Sequence, residues 1–132
     1  MEFFMAMRPP TVTHQKKQVR VVKGKPVFYE PAKLKEARVK LTAYLAQHIP
    51  TEPYTGPVKL QVMWCFPVRG GHKDGEYMTA KPDTDNLQKL LKDVMTDLGF
   101  WQDDAQVVQE IVEKFWAAVP GIYVYVDEIK PR

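Results

Sequence analysis

Residues 83–107 read DTDNLQKLLKDVMTDLGFWQDDAQV. Leu87, Leu90, Leu91, Val94, Met95 and Leu98 recur at the spacing of one helical face, so Asp85 to Leu98 is expected to form an amphipathic helix. Gly99 stands where a left-handed residue closes such a helix. Upstream, Val58, Leu60, Val62 and Trp64 alternate with Lys59, Gln61 and Met63, the period of a strand. Downstream, 105–117 reads as a long strand and 122–130 as its hairpin partner, with Pro120-Gly121 in the connection.

The amino-terminal half adds three elements. Phe3, Phe4, Met5 and Met7 suggest a short strand ended by Pro9-Pro10. Thr11 to Arg20 is polar and basic and reads as a loop; Val21-Val22 and Val27-Phe28-Tyr29 then form a hairpin around Lys23-Gly24-Lys25. Pro31 suits a helix first turn, and Leu34, Ala37, Leu41, Tyr44 and Leu45 recur at helical spacing, giving a helix over 31–48. Its other face carries Lys33, Lys35, Arg38 and Lys40, as a solvated face or a DNA-contacting one would. Three prolines and a glycine mark 50–57 as a turn region, and 68–81, VRGGHKDGEYMTAK, reads as a mobile loop. Both substrate contact and plain solvent exposure fit that loop. The order strand, hairpin, helix, strand, helix, strand, strand predicts an α+β fold. Helices pack on a mixed or antiparallel sheet, in one domain over 1–132. A chain this small gains a larger platform most simply by dimerising.

The net charge of +3 is weak support for a polyanionic partner. The placement of acids says more: six aspartates lie between Asp83 and Asp104 in an otherwise basic chain. That contrast suits an enzyme that holds a polyanion and sets a metal against it. Cys65 is the single cysteine, which excludes an intrachain disulfide and fits a reducing cytoplasm. Its apolar surroundings, Val62 to Phe66, make it a buried small hydrophobe rather than a nucleophile. The opening MEFFMAMRPP has too short an apolar stretch for a signal peptide, and no run reaches the roughly 20 apolar residues of a membrane span. A cytoplasmic protein without a membrane partner is expected.

Asp83 and Asp85 lie two apart, a spacing that turns both carboxylates the same way in extended or N-cap chain. Such a pair repels unless a hard cation neutralises it, and Mg²⁺ prefers carboxylate oxygens. Asp103-Asp104 forms a second acidic pair beyond the helix. A helix of about 14 residues is roughly 20 Å long, so a strand returning antiparallel starts far from Asp85. The pairs meet if Gln102 to Ala105 runs back along the helix, or if a second subunit supplies one of them. Lys89 lies roughly 40° from Asp85 around the helix, away from the leucine face. It could stabilise charge on a phosphate or orient a water. The same residues also read as plain helix-terminal acids and an Asp85–Lys89–Asp93 charge ladder. His14, His48 and His72 lack zinc-ligand spacing, and neither GxxxxGK[ST] nor GxGxxG is present.

The run Lys81 to Val107 resembles the RusA-type Holliday junction resolvase family in its full pattern: D-x-D-N-x-x-K, about a dozen helical residues, then G-x-x-x-D-D-x-Q-V. The resemblance covers about a fifth of the chain and favours the active-site reading over the capping one. It implies that Asp83, Asp85 and Asp104 are the essential carboxylates and metal ligands, with Lys89 the catalytic lysine. Asp103 is then an adjacent acid that supports the site and can itself reach the metal. It further implies a Mg²⁺-dependent homodimer, with Mn²⁺ able to substitute, that nicks a four-way DNA junction symmetrically. Family members often carry Pro-Pro-Ser followed by Asn after the first strand. Here Pro9-Pro10-Thr11 is followed by Val12-Thr13-His14-Gln15, and the 68–81 loop has no firm counterpart, so the DNA-contacting details are open.

The expected function is therefore metal-assisted phosphodiester hydrolysis in recombination and repair. Lys16, Lys17, Arg20, Lys23, Lys25, Arg69 and Lys73 are candidates for phosphate contacts that weaken as salt rises. Three other readings stand beside it: a nuclease for forks or flaps, a module that binds branched DNA without cutting, and an interaction protein whose acids are helix caps.

Overall fold

The computed structural model describes residues 1–13, 18–29 and 31–130, giving the backbone alone over 18–22 and 26–29. Its elements follow the expected order: β1 (Glu2–Met5), β2 (Gln18–Val22), β3 (Lys25–Tyr29), α1 (Ala32–Leu45), β4 (Val58–Pro67), α2 (Thr84–Leu98), β5 (Val107–Ala117) and β6 (Gly121–Glu128). Short 3₁₀ turns at Ala46–His48 and Asp104–Gln106 follow α1 and precede β5.

The strictest alternation in the chain makes β4 the centre of the fold. Val58, Leu60, Val62, Trp64 and Phe66 are buried on one face, and the residues between them are half-buried on the other. A strand this apolar is most stable with a neighbour on each side, and the four-stranded sheet runs β1-β6-β4-β5. β5 lies parallel to β4 and β6 antiparallel to it. This corrects the expected β5–β6 hairpin. Ala117 ends β5 opposite Pro67, Gly121 starts β6 opposite Cys65, and the link between them passes the end of β4. Polarity from β5 to β6 does reverse, as hairpin-like periodicity suggests, but the more apolar strand occupies the slot between them.

The buried face of the sheet receives both helices. Leu34, Leu41 and Leu45 of α1 and Leu87, Leu90, Leu91, Val94 and Met95 of α2 join the β4 side chains in one core. Pro31 stands one position ahead of the helix expected from it. As N-cap it has ψ 146°, and its carbonyl accepts from the N–H groups of Leu34 and Lys35. Gly99 adopts φ 85° and closes α2, where a side chain would be strained. The β2–β3 hairpin turns at Lys23 and Gly24, both at positive φ, and its first strand claims Gln18 to Arg20 from the expected loop. His14, Lys16 and Lys17 lie outside the described residues, and so does the side chain of Arg20.

Two further expectations change. The 68–81 segment holds neither helix nor strand, yet it is no free loop. Gly75 and Met78 N–H groups donate to the carbonyls of Trp116 and Lys114, and the Trp116 N–H donates to the Glu76 carbonyl. The segment thus lies along the outer edge of β5, with Met78 buried and His72 stacked on Trp116 at 4.6 Å. His72 Nδ1 and the Lys73 N–H, each 2.9 Å from the Glu76 carboxylate, hold that carboxyl below its usual value. Cys65 is half-buried on the sheet face opposite the helices, not in the core, because it falls on the odd-numbered phase of the β4 alternation. Burial still pushes its thiol upward, with Asp74 adding to the effect.

Gly121 is fixed by a close approach between strands. A Cβ there would collide with the Phe4 ring and lie 2.7 Å from the Met5 carbonyl oxygen. Gly121→Ala is expected to cost about 1–3 kcal/mol by overpacking, read as a lower midpoint in thermal denaturation. An unchanged midpoint would show that β1 yields freely.

Candidate active site

Asp83 is the N-cap of α2, but its side chain makes no capping hydrogen bond. Its carboxylate instead lies 3.4 Å from the Lys81 ammonium. Lys114 pins this entry, donating to the carbonyls of Ala80 and Pro82 at 2.6 and 2.7 Å. Asp85 follows in the first turn of α2, where the helix dipole favours an acid.

Successive turns of α2 then present Asp85, Gln88, Lys89 and Lys92 to an open groove of about 380 Å³, whose other side is formed by Asp104, Glu110 and Val112. Asp104 also borders a neighbouring groove, with Asp93, Thr96 and Asp97 from the second half of α2. β5 runs antiparallel to α2. Its Lys114 touches Pro82 before the helix starts, whereas Glu110 lies against Gln88 and Lys92 further along. One groove therefore joins Asp85, Lys89 and Asp104, with the two acids toward opposite ends of it. Asp83 sits outside, one residue before the groove-lining Thr84. Among the described residues, no three acid, histidine or cysteine side chains come together.

Lys89 is paired with Asp93 at 3.1 and 3.3 Å. Its side chain is 74% exposed, so the pair is worth at most a few tenths of a kcal/mol and releases the ammonium readily. Asp103 is occupied in holding the turn. Its Oδ1 accepts from the Ala105 N–H at 2.9 Å, closing a capping box with Gln106. His48 stacks on Phe3 at 4.0 Å, and His72 is used against Trp116.

Four residues of the site were missed by sequence reasoning. Gln106 takes the N–H groups of Gln102 and Asp103 on its Oε1 and donates to the carbonyls of Tyr54 and Gly56. It thereby sets the turn that carries Asp104. Gln88 is buried on the leucine face, 4% exposed, and its Oε1 accepts from the Trp64 indole N–H at 2.7 Å. Its Nε2 donates to Glu110 at 2.6 Å, and Lys92 donates to the other Glu110 oxygen at 3.1 Å. A glutamine inside an apolar helical face was the available signal for Gln88, and the Q of D-D-x-Q was the signal for Gln106. Lys92 and Glu110 carried none, since they lie 18 residues apart on different elements.

The model of the endodeoxyribonuclease RusA family matches residues 8–127. The chain belongs to the RusA endodeoxyribonuclease family. Family membership extends the resemblance from the 81–107 motif to nearly the whole fold, and it makes the chain an endodeoxyribonuclease. The chain is 33% identical over 109 residues to the crossover junction endodeoxyribonuclease rusA of Lactococcus phage r1t, covering 81% of this chain and 82% of the phage protein. It is 33% identical over 117 residues to protein YqaN of Bacillus subtilis (strain 168), covering 80% and 82%. A shorter match reaches the crossover junction endodeoxyribonuclease RusA of Escherichia coli (strain K12), 41% identical over 58 residues, 44% of this chain and 40% of that one.

Because the Trp64 indole is buried and donates only, removing its acceptor leaves an unsatisfied N–H inside the protein. Gln88→Leu is expected to lower stability by about 1–3 kcal/mol in urea denaturation. Unaltered stability would mean that Trp64 finds another acceptor.

Proposed function

We propose that this RusA-family protein is a Mg²⁺-dependent endodeoxyribonuclease that resolves four-way DNA junctions, with Asp83, Asp85, Lys89 and Asp104 as its catalytic residues. The observation that carries the proposal is the single groove bordered by Asp85, Lys89 and Asp104 within a chain matched over 8–127.

The donors suit a hard cation, since all are carboxylates. Their arrangement suits it in part: Asp83 with Asp85 stands toward one end and Asp103 with Asp104 toward the other, with no three acids together. Mg²⁺ commonly takes one or two protein carboxylates and completes its shell with water and substrate phosphate. Asp83, Asp85 and Asp104, with Asp103 beside them, are the residues that would hold it, and Mn²⁺ has the same oxygen preference. When bound, such an ion supplies an activated water and polarises the phosphate. Lys89 leaves Asp93 for the scissile phosphate and neutralises charge as it develops there. Lys92 is held back by Glu110 and keeps the groove wall fixed. Lys23, Lys25, Arg69 and Lys73 are exposed and available to backbone phosphates.

A homodimer would present two grooves to a two-fold symmetric junction. Its support is the sheet face that the helices leave open, where Phe4, Tyr123 and Met63 lie side by side across β1, β6 and β4. Sedimentation is expected to give the mass of two chains for the wild type and of one chain for Met63→Glu. Two chains in both would place the interface elsewhere, and one chain in both would refute the dimer.

Cleavage of a labelled four-way junction tests the activity. Paired symmetric nicks are expected with Mg²⁺ and none with EDTA. Asp85→Asn and Lys89→Ala are expected to lose about a hundredfold or more in rate. Binding without cutting under any metal would withdraw the catalytic roles, and preferred cutting of forks or flaps would change the substrate.

A further inference from the structure

A second cavity, of about 320 Å³, lies on the other side of the α2 entry. Its apolar walls come from Phe66, Met78 and Trp116, and its rim carries Arg8, Arg69 and Lys81 with no carboxylate among the lining residues. The Arg69 guanidinium lies over the Trp116 ring, 5.8 Å from its centroid, which turns a planar cation and an aromatic side chain toward the same space. The Trp116 indole N–H is buried and has no hydrogen-bond partner among the described residues. The cavity is also tied to the candidate acids: Lys81, on its rim, holds the Asp83 carboxylate at 3.4 Å.

Resting on the nuclease reading above, we infer that this cavity receives one unstacked nucleotide of the branched DNA, its base against the Met78–Trp116 wall and its phosphate among Arg8, Arg69 and Lys81. An apolar slot whose charged lining residues are all cationic fits a group that is flat and apolar at one end and anionic at the other. Single-stranded bases are taken up in this way, on aromatic and guanidinium planes. The branch point of a junction is where a base most cheaply leaves its stack. Seating one base there would fix the backbone that continues past Lys81 to Asp83, and so would set which phosphodiester enters the groove.

The test scans single abasic sites through the positions flanking the branch, with cleavage and junction binding both measured. One position is expected to weaken the wild type roughly ten- to hundredfold while its neighbours do little. Thr11→Trp, at the exposed cavity rim, is expected to cut the intact junction more slowly and to lose that sensitivity. Arg69→Ala, an exposed change that spares the core, is expected to blunt it and serves if the larger side chain disturbs folding. A wild type that cuts the intact junction but responds equally to every abasic site overturns the inference and leaves the nuclease reading standing. So does a folded Thr11→Trp protein that retains full abasic sensitivity. A wild type that cuts no branched DNA overturns the nuclease reading, and the pocket assignment falls with it.

Discussion

The hydrogen bond from the Trp64 indole to Gln88 governs how the rest of the molecule is arranged. Trp64 is fully buried on the central strand, and its N–H can donate and cannot accept. Satisfying it requires a polar side chain on the one face of α2 that is otherwise leucine, valine and methionine. Together with the burial of Leu87, Leu90, Leu91, Val94 and Met95, that bond sets the rotation of α2 on the sheet. With Gln88 turned inward at the border of the apolar stripe, Asp85, Lys89 and Lys92 necessarily line the adjoining groove, since residues three and four apart share a helix face. The second half of the same amide holds Glu110, so the bond that anchors the helix also shapes the opposite wall.

The groove and the cavity share β5, which gives Glu110 and Val112 to the first and Trp116 to the second. β5 runs along α2 toward its start. Near the start of β5, Glu110 and Asp104 face the helix; near its end, Lys114 grips the carbonyls of Ala80 and Pro82, and Trp116 walls the cavity. The 68–81 segment closes this edge by hydrogen bonding to β5. Edge strands invite unwanted pairing, and covering half of one both protects it and brings Arg69 and Met78 to the cavity.

Charge follows a similar division. The charged residues of the cavity are all cationic, whereas the groove mixes carboxylates with Lys89 and Lys92. The Lys89–Asp93 pair is weak enough to open for a phosphate, while Lys92 and Glu110 are only about a quarter exposed and better shielded from water.

The sequence by itself determined the elements, the amphipathic face of α2 and the motif that carries the family, because periodicity and capping are local properties of the chain. Leu87, Leu90, Leu91, Val94 and Met95 are buried as their spacing requires, and Asp83 and Gly99 stand at the helix ends. Tertiary structure alone decided which strands are neighbours. Hydrogen-bond capacity along a strand is generic, and only competition for the central slot seated β4 between β5 and β6. It also decided that Asp85 and Asp104 share a groove, and that Gln88, Lys92 and Glu110 complete its walls. Those contacts join residues far apart in the chain, and no local spacing encodes them.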